Sequence, residues 1–149
     1  MEYTDPVRAY LNSVMESRLE IRRVKRKLDA LESRAMNITS NLTGMPRGGG
    51  ADRDSVLASL ADISRDYYLR LAKAEQTELD VLRFIDSLSS PDSRMILKLK
   101  YIDCRRWPKI LTTLRENGRE ISERQMFRLH GAALQEARQK YKEWNHDEN

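Results

Sequence analysis

The stretch ISERQMFRLHGAAL, residues 121–134, decides how the chain is read. Ser122 stands three residues before Gln125. At that spacing a hydroxyl accepts from the backbone N–H three residues on while the amide side chain reaches back, a reciprocal cap that opens a helix. Beyond it Met126, Leu129, Ala133, Leu134 and Ala137 recur at helical intervals, so one face turns inward and the charged residues turn out. The pattern predicts a helix from Glu123 to about Trp144. Just upstream, Glu116-Asn117-Gly118-Arg119 reads as a turn in which Gly118 closes the preceding helix.

Working toward the amino end, a short helix begins near Trp107-Pro108 and carries Ile110, Leu111 and Leu114. Before it, Ser90 caps a helix with Pro91 at its first position, running through Met95, Ile96, Leu99 and Ile102 to about Asp103. Three helices, the last opened by a capped and basic first turn, describe a helix-turn-helix domain over residues 89–144, with a polar tail at 145–149.

The first half of the chain carries a different repeat. Val7, Val14, Ile21, Leu28, Ala35 and Leu42 recur every seven residues, and Tyr10, Ser17, Val24, Leu31 and Ile38 fill the intermediate seam positions. A 3.5-residue repeat of this length implies a helix packed along a coiled-coil seam, opened by Asp5 as cap and Pro6 as first residue. The run from Asn37 to Gly44 should end it. Residues 44–52, GMPRGGGAD, form the Gly-rich loop. They lack the preceding strand and following Lys-Ser/Thr pair of a phosphate-binding loop. A second helix is expected from about Arg53 to Leu88, through Val56, Leu60, Ile63, Tyr67, Leu71, Ala74, Val81, Ile85 and Leu88, with Glu78 as a polar interruption. The expected fold is therefore all-α: a long antiparallel helical hairpin (coiled coil) over residues 1–88, then a three-helix helix-turn-helix domain. A lone pair of long helices is thin, which favours a homodimer.

Composition agrees. Hydrophobic residues make up 40% of the chain and charged ones 34%, a balance suited to long helices exposed on one side. A single cysteine, Cys104, excludes an intramolecular disulfide and a cysteine-based zinc site, and with two histidines, His130 and His146, no metal or other cofactor is expected. Without an apolar leader or a long apolar run, the expectation is a cytoplasmic protein with no membrane partner. No nucleophile–base pair is visible, and acids such as Asp62, Asp66 and Asp80 read as solvated helix faces, so the chain is not read as an enzyme. The net charge of +4 is unevenly spread. Residues 91–143 hold thirteen Lys and Arg against seven Asp and Glu, whereas residues 44–90 hold six against eight. A polyanion should dock on the last third.

Double-stranded DNA is the polyanion these residues suit. A recognition helix sets its first two turns against base edges, and here those turns offer Glu123, Arg124, Gln125, Phe127 and Arg128. Arg can bond bidentately to guanine and Gln to adenine, while Glu can accept from cytosine. Arg105, Arg106, Lys109, Arg115 and Arg119 lie in or beside the preceding helix and turn, where phosphate contacts set docking orientation. The plain alternative is an exposed helix of mixed charge.

The segments PDSRMILKLKYID, CRRWPKI and ISERQMFRLHGAAL together resemble the region-4-like helix-turn-helix of sigma factors. More closely, they resemble the sigma-like domain of small Firmicute phage proteins related to the ArpU and RinA late transcription regulators. The likeness extends over the organisation from about Val7 to Tyr141. It implies a phage or prophage transcription regulator that binds specific DNA, with host RNA polymerase as a further partner. On that resemblance Ser122 caps the recognition helix, and Glu123, Arg124 and Arg128 take base-reading positions with Gln125 beside them. Trp107 and Ile110 match core positions of the motif's first helix, and His130 matches a recurrent position suited to helix packing or backbone contact. The chain departs from the family pattern in three places: Cys104 stands where glycine is usual, Pro108 replaces an acid, and the stretch from Leu114 to Ser122 is longer than the usual tight turn. Two other readings share these features. One is a DNA-packaging subunit like a small terminase; the other is an adaptor that binds RNA polymerase or a sigma factor with little DNA affinity.

Overall fold

The computed structural model describes residues 5–40 and 50–147, and the protein is all-α: every regular element among these residues is helical. Helix α1 spans Pro6–Ser40, α2 Gly50–Asp86, α3 Pro91–Leu97, α4 Trp107–Glu116 and α5 Glu123–Asp147. Leu42 and positions 44–49 of the expected loop lie outside the described residues. Helix α2 begins at Gly50, three residues before the expected start, and α5 continues into what reads as a polar tail.

Local chemistry accounts for the helix ends. The Val7 N–H donates to Asp5 Oδ1 at 3.1 Å, the N-cap bond expected of an Asp-Pro start. The Ser93 N–H donates to Ser90 Oγ at 3.3 Å, with Pro91 in the first turn where its missing N–H loses nothing. Helix α3 does not end as an ordinary α-helix. Residues Lys98–Ile102 form a π-helical turn in which the Asp103 N–H reaches back to the Lys98 carbonyl at 2.9 Å. Cys104 follows at φ 52, in the left-handed region, and the Arg105 N–H then bonds the Leu99 carbonyl at 3.1 Å. A left-handed residue just past a helix end is the usual place for glycine.

The described chain divides into two compact units, one of residues 17–75 and one formed by residues 1–16 with 76–149. In the first, α1 and α2 pair in opposite directions: Glu20 meets Arg70, and the Lys25 ammonium lies 5.6 Å from the centre of the Tyr67 ring. Val24, Leu28 and Val56 are buried along this seam, and Ile21, Leu31, Leu60, Ile63 and Leu71 are half-buried, as the heptad and helical spacings predict. Apolar side chains also face outward here, among them Met36 (72% exposed), Tyr68 (66%), Leu69 (66%), Leu19 (51%) and Leu57 (46%).

The second unit holds the larger core. Val7, Leu11 and Val14 of α1 join Val81, Phe84, Ile85 and Leu88 of α2 in one buried cluster. The same cluster takes in Ile96, Leu97, Leu99 and Ile102, Ile110 and Leu114 of α4, and Met126, Ala133, Leu134 and Ala137 of α5. It runs across the 88/89 junction that the Ser-Ser-Pro break marks in the sequence. Aromatic rings fill the end of the cluster: Phe84 meets Tyr10, Tyr141 and Trp144 edge-on, with centroids 5.1–6.0 Å apart. Each fully buried Val, Leu, Ile or Phe contributes about 1.5–3 kcal/mol, so this unit rests on helices from both halves of the chain.

Candidate nucleic-acid interface

Helices α4 and α5 and the connection between them carry most of the candidate residues. The connection, residues 117–122, is longer than a tight turn but is tied at several points. Gly118 has φ +85, a conformation that costs glycine nothing, and its N–H donates to the Arg115 carbonyl at 3.0 Å. The Arg119 N–H bonds the Leu114 carbonyl, and Arg115 Nε donates to the Ile121 carbonyl at 3.1 Å. The Arg119 guanidinium pairs with Asp92 of α3 at 2.5 Å, and that hydrogen bond, against the opposing effect of burial, holds the Asp92 carboxyl below the usual carboxylate range.

The reciprocal cap is present at the start of α5. The Gln125 N–H donates to Ser122 Oγ at 3.2 Å, and the Ser122 N–H donates to Gln125 Oε1 at 2.8 Å. With the Gln125 amide thus engaged at one oxygen, its NH2 remains to meet a partner. Glu123, Arg124 and Arg128 are exposed, and the two arginines share one face.

The phosphate-contact candidates divide in two. Arg106, which caps α4 through its backbone, and Lys109 are exposed. Arg105 is half-buried, its Nη1 donating to Thr113 Oγ1 at 2.9 Å, and Arg119 is half-buried in its pair with Asp92. Those two brace the scaffold while keeping other N–H groups free to donate, since a guanidinium carries five.

Beneath this face lies a ring cluster that periodicity does not reveal. Trp107 contacts Phe127 (5.0 Å between centroids) and His130 (4.7 Å), and the Lys100 ammonium sits 4.7 Å from the Trp107 ring centre. Tyr101 stacks on His130, and its hydroxyl lies 3.0 Å from Nε2. Burial, with the charges of Arg8, Lys100 and Arg138 added, pushes His130 down to about 4, so it is a neutral packing residue at pH 7. Among the described residues no group of His, Cys, Asp and Glu is arranged to hold a metal ion, and no helix is long and apolar enough to cross a membrane.

The outward face of α5 extends well past the residues singled out from the sequence. Continuing from Arg124 and Arg128 in helical steps come Gly131, Gln135, Gln139 and Lys142, all exposed. Stepping by three and four from Arg124 finds them in the sequence. Between Glu123 and Glu143 the only acid is Glu136, and its carboxylate is turned to the other side, where it accepts from the Ser89 N–H at 2.6 Å and the Ser90 N–H at 3.1 Å. From Arg124 to Lys142 the face is therefore basic and amide-bearing over several turns, with the exposed carboxylates Glu123 and Glu143 at its two ends.

Comparison with known proteins returns no match, whether with family models, curated proteins or solved structures.

Proposed function

We propose that the chain is a sequence-specific DNA-binding transcription regulator of phage or prophage origin, with α5 as the recognition helix of a helix-turn-helix. The observation that carries this reading is the combination at α5: a reciprocal cap at Ser122 and Gln125, two exposed arginines in the first two turns, and an outward face free of acid from there to Lys142. Arg124, Arg128 and the Gln125 amide take base edges, with Glu123 beside them, while Arg106 and Lys109 at the start of α4 meet phosphates. Arg105 and Arg119 support the docking surface from Thr113 and Asp92.

The phage assignment, and host RNA polymerase as a further partner in the bacterial cytoplasm, rest on the family resemblance of the three segments. The residue 1–88 segment serves homodimerisation or partner docking, which the outward Leu57, Tyr68 and Leu69 of the 17–75 unit support. The protein performs no catalysis and needs no cofactor.

The test is selection from a random-sequence duplex pool at near-physiological salt. One enriched sequence is expected, and Arg124→Ala and Arg128→Ala should each lower specific affinity by about 1–3 kcal/mol. Unchanged affinity in both variants overturns the assignment of α5. Capture of RNA polymerase with no enriched duplex would replace the regulator with an adaptor, and binding of the enriched duplex by a ring-forming oligomer would replace it with a terminase-like subunit.

A further inference from the structure

Gly131 sits in the middle of α5, exposed, on the same face as Arg124, Arg128 and Gln135. Glycine in a helix interior is a poor choice, because it gives up more backbone freedom on folding than alanine does. Neither of the usual reasons for it holds here. Its φ is not positive, unlike that of Gly118, and a Cβ built on it meets nothing within 4 Å. Nothing in the described chain requires a side chain to be absent there. A bare Cα on a basic face is suited instead to close approach from outside.

We propose that Gly131 is where the sugar–phosphate backbone of bound DNA packs directly against α5. This rests on the DNA-binding reading above and adds to it a specific point of contact. At 1.5 Å per residue, Gly131 lies roughly 10 Å along the helix from Arg124. The major groove is about 8.5 Å deep, so for a helix that enters by its amino end with Arg124 at the base edges, Gly131 is level with the groove wall. A side chain at the wall holds the helix off the duplex and draws both arginines back from the bases. Glycine lets the helix backbone come to van der Waals distance of the sugars, while Gln135, Gln139 and Lys142 further along the face offer N–H donors to phosphate oxygens. The contact is with backbone, so it carries no sequence preference of its own.

The experiment uses the full chain, with Gly131→Ala and Gly131→Leu measured for thermal melting and for binding to a fluorescein-labelled duplex recovered by the selection. Melting temperatures at or above that of the parent are expected, because alanine and leucine favour the helix and the site is open. Affinity should fall nonetheless, modestly for alanine and about tenfold for leucine, equivalent to about 1.4 kcal/mol. Parent-like binding by Gly131→Leu, alongside lost affinity in Arg124→Ala and Arg128→Ala, overturns the Gly131 contact and leaves the DNA face standing. Parent-like binding by both arginine variants, or a pool that yields no enriched duplex, overturns the face and the contact together. If the leucine variant melts early, the alanine variant decides on the same terms.

Discussion

At Cys104 the backbone takes a left-handed turn that brings the Cβ close to the following carbonyl, at a cost of about 1–2 kcal/mol for any residue but glycine. Cys104→Gly should therefore raise stability by about 1 kcal/mol in urea melts, and the β-branched Cys104→Val should lower it. An unchanged Cys104→Gly would mean that the contacts of Sγ with the Tyr101 carbonyl (3.5 Å) and the Ile102 carbonyl (3.8 Å) offset the strain. His130 supplies a pH dependence. Its folded-state value of about 4 lies below the ordinary 6.5, so between those values the unfolded chain takes up a proton that the folded chain refuses. Stability is whole above pH 6.5 and falls as the pH drops toward 4, by on the order of 3 kcal/mol at most. The hydrogen-bonded carboxylates Asp5, Asp92 and Glu136 also sit low, so their share is lost only at more acid pH. Melts in the window above about pH 5.5 isolate the histidine, since the carboxylates begin to titrate in the unfolded chain below it; a flat profile there contradicts its burial as a neutral ring. Cap residues were legible at this scale because a cap is local: Ser122 and Gln125 lie three apart, and so do Ser90 and Ser93. The partners of Arg119 and His130, Asp92 and Tyr101, lie 27 and 29 residues away, beyond any spacing rule.

Among the elements, the start of α3 shows how one helix closes the end of another. The Ser89 and Ser90 N–H groups have no helical partner, and Glu136 of α5 accepts from both, while Arg94 donates to the Leu88 and Ser89 carbonyls. Burial works against the Glu136 carboxylate, yet the donors at Ser90, Ser93 and Ser89 hold it ionised below the usual range. Glu136→Ala should lower stability by about 0.5–2 kcal/mol by removing the acceptor that caps those amides, and Glu136→Gln, which keeps an acceptor, should lose less. Equal losses would assign the effect to packing rather than to the hydrogen bonds. Helix positions were readable from the sequence because periodicity reports which face is apolar. The π-helical turn at Lys98–Ile102 was not, since Ile96, Leu99 and Ile102, three residues apart, read as the face of an ordinary α-helix.

For the whole molecule, the seam positions of the first two helices were legible, but which helices share a core was not. Ser89-Ser90-Pro91 is a true helix boundary, and a boundary signal is local. Core membership is set by packing in space, and Val7, Leu11, Val14, Phe84 and Ile85 lie in the same cluster as Ile96 and Leu134. A fragment of residues 89–149 should therefore fail to unfold cooperatively, because it lacks seven buried side chains each worth about 1.5–3 kcal/mol against a typical margin of about 5–15 kcal/mol. Residues 1–16 joined through a short linker to 76–149 should keep a sigmoidal melt. A cooperative 89–149 fragment would show that the three carboxy-terminal helices suffice.

The same discontinuity has a consequence for the chain as it is made. Val14 finds Leu134 in its core only after the intervening chain has emerged. At about 5–20 residues per second, the roughly 120 residues between them take on the order of ten seconds to translate. Glu20 and Arg70 can meet sooner. Until α5 leaves the ribosome, the nascent amino terminus carries an apolar face without its full complement of partners, and for that interval a holdase chaperone has a surface to grip.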